Sequence, residues 1–341
     1  MGLKQDVYNY LKEQGEVSVT ELLGVEGFSN RTYLERVLSQ LLSEERVSRR
    51  RDGKMVYYSA TTIQILYDET VELRNLHEDV VWMEIVKSST LVEALSEQAL
   101  TILQFSFTEM LNNAIDHSKS GTAMVKVWVD AKNVHFTIRD YGIGIFKSIM
   151  AKNKLESELE ALQELVKGNR TTDPAAHSGE GIFWTSKISD KMSFKSYNYA
   201  FLVDNILDDY AVQELEDTIL GTEVYFEISK DTEKSMSSLF HKYSFNPDDI
   251  LLDTTTIRVK LYEVGVTWIS RSQAKKVLNG LEKFKRITFD FAGVDLIGQG
   301  FADEIFRVFQ IAHPEIELVA TNTTSAVQFL IDRAKADPTG R

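Results

Sequence analysis

Phe107-Thr-Glu-Met-Leu-Asn-Asn-Ala-Ile-Asp-His-Ser118 is the stretch on which the reading of this chain turns. It closes an apolar-periodic run that begins near Leu91, and the spacing predicts one long helix as far as His117. Glu109 and Asn113 are four residues apart, so on a helix they share one face. A carboxylate there can take a proton from water or from a hydroxyl. An amide oxygen one turn on can hold a hard cation such as Mg²⁺, which prefers oxygen ligands. Taken alone, a Glu-x-x-x-Asn pair describes a solvated polar face equally well.

Beyond this helix, alternating apolar residues predict strands at Val125 to Val129 and Val134 to Ile138. The second strand runs into Asp140-Tyr-Gly-Ile-Gly144. An aspartate at a strand end can accept a hydrogen bond from an exocyclic amino group, and Gly142 and Gly144 let the backbone turn and approach a ligand closely. A charged, helical insertion from Lys147 to Lys167 precedes His177-Ser-Gly-Glu-Gly-Ile182. There Gly179 and Gly181 can open a helix that continues through Trp184 to Ile188. Glycine amides at a helix start present free N–H groups, and the helix dipole favours an anion beside them. Strands near Met192 to Ser196 and Thr222 to Ile228 follow, and the hydroxyl of Thr222, after Gly221, can reach a base or a bound water. Each of the last three segments by itself also describes an ordinary turn.

The ordered set is more specific than its parts. A helical acid–amide pair, a strand-end Asp-x-Gly-x-Gly, a Gly-x-Gly at a helix start and a Gly-Thr before a strand resemble the GHKL ATPase superfamily. That group takes in histidine kinases, gyrase-type topoisomerases, mismatch-repair ATPases and anti-sigma-factor serine kinases. The resemblance runs from Leu91 to Ile228 and implies ATP and Mg²⁺ as ligands. It implies Glu109 as general base, Asn113 as the Mg²⁺ ligand and Asp140 as the adenine anchor. Gly142 and Gly144 would shape the base pocket, Gly179 and Gly181 the lid end over the phosphates, and Thr222 would support the adenine contact. The segment between Phe146 and Ser178 would be the lid.

Glutamate at position 109 is the pattern of hydrolysing members and of the serine kinases, where histidine kinases usually carry Asn. Asn113-Ala-Ile-Asp-His117 is most similar to the anti-sigma-factor kinases; His117 can touch phosphate or cap the helix end. His77, in Leu76-His-Glu-Asp79, lacks the Pro-containing continuation of a phosphoacceptor box and reads as a connector residue.

The flanks carry separate patterns. Residues 1–60 read as three helices and a hairpin, with Val7, Tyr10 and Leu11 at helical spacing, a short helix from Ser18 to Leu23, and a third capped by Ser29 or Asn30. Asp52-Gly53 is a hairpin-turn pair between two short strands. The order resembles a winged-helix domain. Arg31, Arg36, Arg46, Arg49, Arg50, Arg51 and Lys54 can meet DNA phosphates; a protein-docking hairpin is the alternative. Residues 61–90 read as a helical connector, and Asn246-Pro-Asp-Asp249 marks a boundary.

Residues 250–341 alternate strand and helix. Ile287-Thr-Phe-Asp-Phe-Ala-Gly-Val294 and Leu296-Ile-Gly-Gln-Gly-Phe-Ala-Asp303 resemble a STAS-like domain, the fold of anti-anti-sigma factors. Gln299 stands where those factors carry a phosphorylatable Ser, so docking or regulation fits better than phosphorylation in cis. Asp290, Asp295 and Asp303 read as turn and surface acids. The expectation is therefore an α/β multidomain chain: a winged-helix-like domain at 1–60, a connector at 61–90, a GHKL-type α/β sandwich at 91–245 and a STAS-like domain at 250–341.

Bulk composition bounds the function. The chain has 341 residues, a formal net charge of −13 and no cysteine, which excludes disulfides, thiolate metal sites and a cysteine nucleophile. The acidic balance opposes non-specific nucleic-acid binding by the whole molecule. Residues 1–60 hold nine Lys/Arg and nine Asp/Glu, so this stretch is neutral and the remainder carries the excess. No apolar run is long enough for a membrane helix and no secretory signal is evident, so a cytoplasmic protein without a membrane partner is expected. A homodimer is expected by analogy with GHKL proteins. The combined reading is an ATP-binding regulatory switch with slow Mg-dependent hydrolysis, coupled to a DNA or protein partner in transcription or signalling control. The alternatives are a serine/threonine kinase acting on a separate partner, or a non-enzymatic DNA-binding module.

Overall fold

The computed structural model describes residues 3–44, 46–52, 55–61, 63–88, 90–153, 155, 157–167, 180–246, 252–259 and 271–336. The chain falls into two compact units, Met1–Leu66 with Trp128–Val134, and Tyr67–Val127 with His135–Arg341. Among the described residues no helix is long and apolar enough to cross a membrane.

The first unit contains α1 (Leu3–Gln14), β1 (Val17–Ser18), α2 (Val19–Leu23), α3 (Arg31–Ser43), β2 (Val47–Asp52) and β3 (Met55–Ala60). Its helix starts follow local chemistry. Ser18 and Glu21 form a reciprocal capping box on α2, and the Asn30 side chain caps α3 by accepting from the Tyr33 amide. The strands form an antiparallel sheet in the order β1-β3-β2. Leu11, Leu22, Leu34, Leu38 and Leu41 are fully buried beneath it. Gly53 and Lys54 of the hairpin turn lie outside the described residues.

A five-stranded sheet in the order β4-β5-β6-β8-β7 organises the middle of the chain. Its elements are β4 (Gln64–Glu72), α4 (Glu78–Ser88), α5 (Leu91–Ala94), α6 (Glu97–His117), β5 (Thr122–Val129) and β6 (Asn133–Asp140). Then come α7 (Ile145–Asn153), α8 (Glu158–Lys167), α9 (Glu180–Ile188), β7 (Lys191–Asp204), β8 (Asp209–Ser229) and α10 (Met236–Tyr243). Helix α6 is fixed to the sheet by aromatic packing. Phe107 meets Phe136 edge-on at 5.6 Å, and Phe136 stacks on Phe226 at 4.8 Å.

Three expectations need correction. The connector is not helical throughout: residues 64–72 form strand β4, in keeping with their β-branched and aromatic Ile65, Tyr67, Thr70 and Val71, and only Glu78–Ser88 is helical. The run from Leu91 is not one helix, because Leu95 ends α5 in extended backbone and Ser96 caps α6 by accepting from the Ala99 amide. Strands β7 and β8 extend well beyond the predicted pairs, as a long antiparallel hairpin with register shifts near Tyr197.

The last segment is a parallel sheet, β11-β10-β9, formed by β9 (Thr254–Arg258), β10 (Arg286–Asp290) and β11 (Glu317–Thr321). Around it lie α11 (Arg271–Leu278), α12 (Gln299–Asp303), a π-helical stretch (Glu304–Phe309), α13 (Gln310–Ala312) and α14 (Ser325–Ala336). Helix α11 stops at Leu278, where Asn279 and a left-handed Gly280 (φ +73°) end it. Phe289, Phe291 and Phe301 are fully buried and form this core with Phe306.

Candidate functional site

Helices α6 to α9 and strands β6 to β8 enclose a cleft of about 1000 Å³, with open water at its mouth included. Ile138, Phe194 and Val224 line it from the sheet, and Met110, Ile145, Ile149, Leu165 and Ile182 from the helices. An apolar cavity of this size with a few convergent polar groups is the usual form of a small-molecule site. The polar groups are Asn113, Ser118, Asp140, Ser148, Glu164 and Thr222, with His117 at the exposed edge.

Asp140 sits at the end of β6 with 5% exposure. Its Oδ1 accepts from the Gly142 amide at 2.8 Å, and Thr222 donates to the carboxylate through both its amide and its hydroxyl. Burial pushes the Asp140 carboxyl above the ordinary aspartate value, and these hydrogen bonds oppose that rise. Three donors leave the carboxylate, with its roughly four lone-pair positions, room for one more. The Thr222 oxygen in turn accepts from the Ile145 amide at 2.8 Å, tying β8 to the start of α7.

The loop after β6 lies on the end of α6. The Ile143 amide donates to the Ser118 carbonyl at 2.7 Å, and a Cβ at position 142 would overlap that same backbone carbonyl. Only glycine fits there. Gly144 lines the cleft in left-handed backbone (φ +77°).

Asn113 lines the cleft half-buried, one turn of α6 beyond the half-buried Glu109. A Cβ on Gly181 would overlap the Glu109 carboxylate, so the acid reaches the first turn of α9. The structure thus gathers Asn113, Asp140, Gly144 and Thr222 on one cleft. It places Gly142 under the loop, and Glu109 against Gly181 beside the cleft. Gly179 and His177 lie outside the described residues.

Sequence reasoning missed Glu164 and Leu165 as cleft-lining groups and Ser118 as the seat of the glycine loop. A signal for the first pair existed. Ala161, Leu162 and Leu165 give α8 a fully apolar face, and Glu164 lies on its margin.

Residues 77–200 match the histidine kinase-like ATPase domain family. The chain carries a histidine kinase-like ATPase domain. The matched span holds Glu109, Asn113, Asp140, Gly142, Gly144 and Gly181, whereas Thr222 lies beyond it on β8. Residues 273–328 match a STAS-like domain of unknown function, so the ATPase domain is followed by a STAS-like one. No curated protein matches the chain. Within the STAS-like domain Gln299 is the first residue of α12, after Gly298. Asp290 accepts from the Ala292 amide and from Asn322 Nδ2, and Asp303 pairs with Arg271 and Arg307. These acids are engaged in turns and ion pairs.

Proposed function

We propose that this chain is an ATP-binding regulatory switch whose ATPase domain turns nucleotide over slowly and transmits occupancy to a partner. The observation that carries the reading is the Asp140–Thr222–Gly142 arrangement on the wall of an apolar cleft. A buried carboxylate with one acceptor position left, flanked by Ile138 and Val224, suits the amino edge and apolar faces of adenine. Gly142 and Gly144 keep the loop low enough for the base to enter.

The remaining residues fit the phosphate end. Asn113 offers an amide oxygen from α6, a donor suited to Mg²⁺. When bound, that ion would neutralise phosphate charge and polarise the phosphoryl oxygens. Glu109, one turn away, would take the proton from the attacking water. Gly181 lets α9 begin close to that carboxylate, at a helix start whose dipole favours an anion.

Residues 1–60 then serve as the output module through a winged-helix arrangement that contacts DNA phosphates. The arginines are not equivalent in this role. Arg50 is held by Glu16 in a two-point ion pair, and Arg46 lies 4.0 Å over the Tyr8 ring. Arg49 and Arg51 are exposed on β2 and remain the better candidates.

Calorimetric titration with ATP and Mg²⁺ tests the reading. Association with wild type and none with Asp140→Asn is expected; no heat with well-folded wild type rejects it. A serine/threonine kinase would use the same cleft. Transfer of labelled phosphate to a co-purifying protein, in place of phosphate release to water, would favour that reading.

A further inference from the structure

Helix α8 stands between the nucleotide cleft and the STAS-like domain. Glu164 and Leu165 line the cleft. Beyond them, Glu160 pairs with Lys276 of α11 at 2.7 Å. The strongest tie is at the helix end. The side chain of Lys167 is only 3% exposed, and its ammonium donates to Glu164, to the Lys276 carbonyl at 3.1 Å and to the Asn279 carbonyl at 3.0 Å. The carbonyl of Lys167 accepts from the Thr255 hydroxyl of β9 at 2.7 Å.

The chemistry of this contact is specific. The Lys276 carbonyl lies in the last turn of α11, at the negative end of the helix dipole, and the Asn279 carbonyl follows just beyond the helix. An ammonium with three donors matches two such carbonyls and one carboxylate. Burial lowers the Lys167 pKa, and the charge of Glu164 opposes that shift, so the pair depend on each other in place. Glu164 therefore faces two ways: its carboxylate anchors Lys167 to the STAS-like domain, and it also lines the cleft. Nucleotide phosphates carry the same sign of charge, and repulsion across a partly dry cleft is strong.

We propose that the STAS-like domain takes α8 of its own chain as an intramolecular partner, and that this docking and nucleotide binding oppose each other. ATP entering the cleft displaces Glu164 and α8 and releases Lys167 from the end of α11. The inference rests on the ATP reading above and adds the contact through which occupancy is transmitted. Linkage makes the effect reciprocal: whatever loosens α8 from the STAS-like domain tightens nucleotide binding by the same factor.

The test uses the full chain. Lys167→Met keeps the length of the side chain and removes its charge and donors; Thr255→Val removes one hydrogen bond with little change of shape. Mg·ATP added to wild type is expected to speed amide hydrogen exchange over residues 271–279. Lys167→Met should show that faster exchange without nucleotide and bind ATP about fivefold or more tightly. Thr255→Val should move both readouts the same way by less, and it decides the matter if Lys167→Met does not fold. Wild type that binds ATP, with affinity unchanged or weakened in the variants and with exchange at α11 unaltered, overturns the coupling alone. Wild type that binds no nucleotide removes the ATP reading and the coupling with it.

Discussion

The carboxylate of Glu109 lies against the Cα of Gly181, close enough that any side chain at 181 would occupy its place. The contact joins the middle of α6 to the first turn of α9, two elements separated in sequence by both strands β5 and β6 and by helices α7 and α8.

The first prediction follows from that contact. Gly181→Ala should displace the flexible Glu109 side chain and leave the backbone in place. Alanine gains about 1 kcal/mol of helix propensity over glycine, which offsets much of the local strain, so the melting temperature should change little. ATP turnover should nevertheless fall toward that of Glu109→Ala, which a lost general base would reduce by roughly 10²- to 10⁴-fold. Steady-state phosphate release beside thermal melts checks it; full activity in Gly181→Ala would show that the acid has no role in the reaction.

Gly142→Ala should behave in the opposite way. The added Cβ meets the backbone carbonyl of Ser118, which cannot swing aside. Forced overpacking of this kind costs about 1–3 kcal/mol, so denaturant melts should register a clear loss of stability along with weaker nucleotide binding. A variant as stable as wild type would mean that the loop can lift from α6.

Asp140 sets a pH dependence. Its folded pKa is raised by burial above the ordinary aspartate value. A carboxyl raised in the fold contributes stability below its unfolded pKa, and that contribution is lost as pH rises through the folded pKa. At neutral pH the ionised side chain is therefore a burden on the empty protein. Asp140→Asn should melt at the same temperature or higher while losing ATP affinity. In wild type, affinity should decline on acidification at a pH above that of an unperturbed aspartate, because protonation removes the acceptor. Calorimetry across pH, with melts of both proteins, tests the pair of claims; a destabilised Asp140→Asn at neutral pH contradicts them.

The fourth prediction separates the arginines of β2. If Arg49 and Arg51 contact DNA phosphates, replacing both with alanine should weaken binding across sequences and lower the salt slope by roughly 2. Arg50→Ala should instead act through its ion pair with Glu16, an exposed contact whose loss should leave the salt slope and the melting temperature nearly unchanged. Salt-dependent fluorescence anisotropy distinguishes the two. An unchanged slope in the double variant would assign this hairpin to protein docking.

Much of this molecule is written locally. Asn30 announces α3, Ser18 with Glu21 announces α2, and Val134 to Asp140 announces a strand that delivers a carboxylate to its end, because caps and periodicity depend on residues a few places apart. The order of the four nucleotide segments pointed to the ATPase domain that the family match shows. What the sequence left open was settled by packing between distant segments. Strand β4 joins the sheet edge where only a helical connector was legible. Glu109 rests on Gly181, and α8 lies between the cleft and the carbonyls at the end of α11. Neither contact has a local signature, since each exists only once the sheet, α6, α9 and the STAS-like domain have buried their apolar faces and fixed where polar groups can meet.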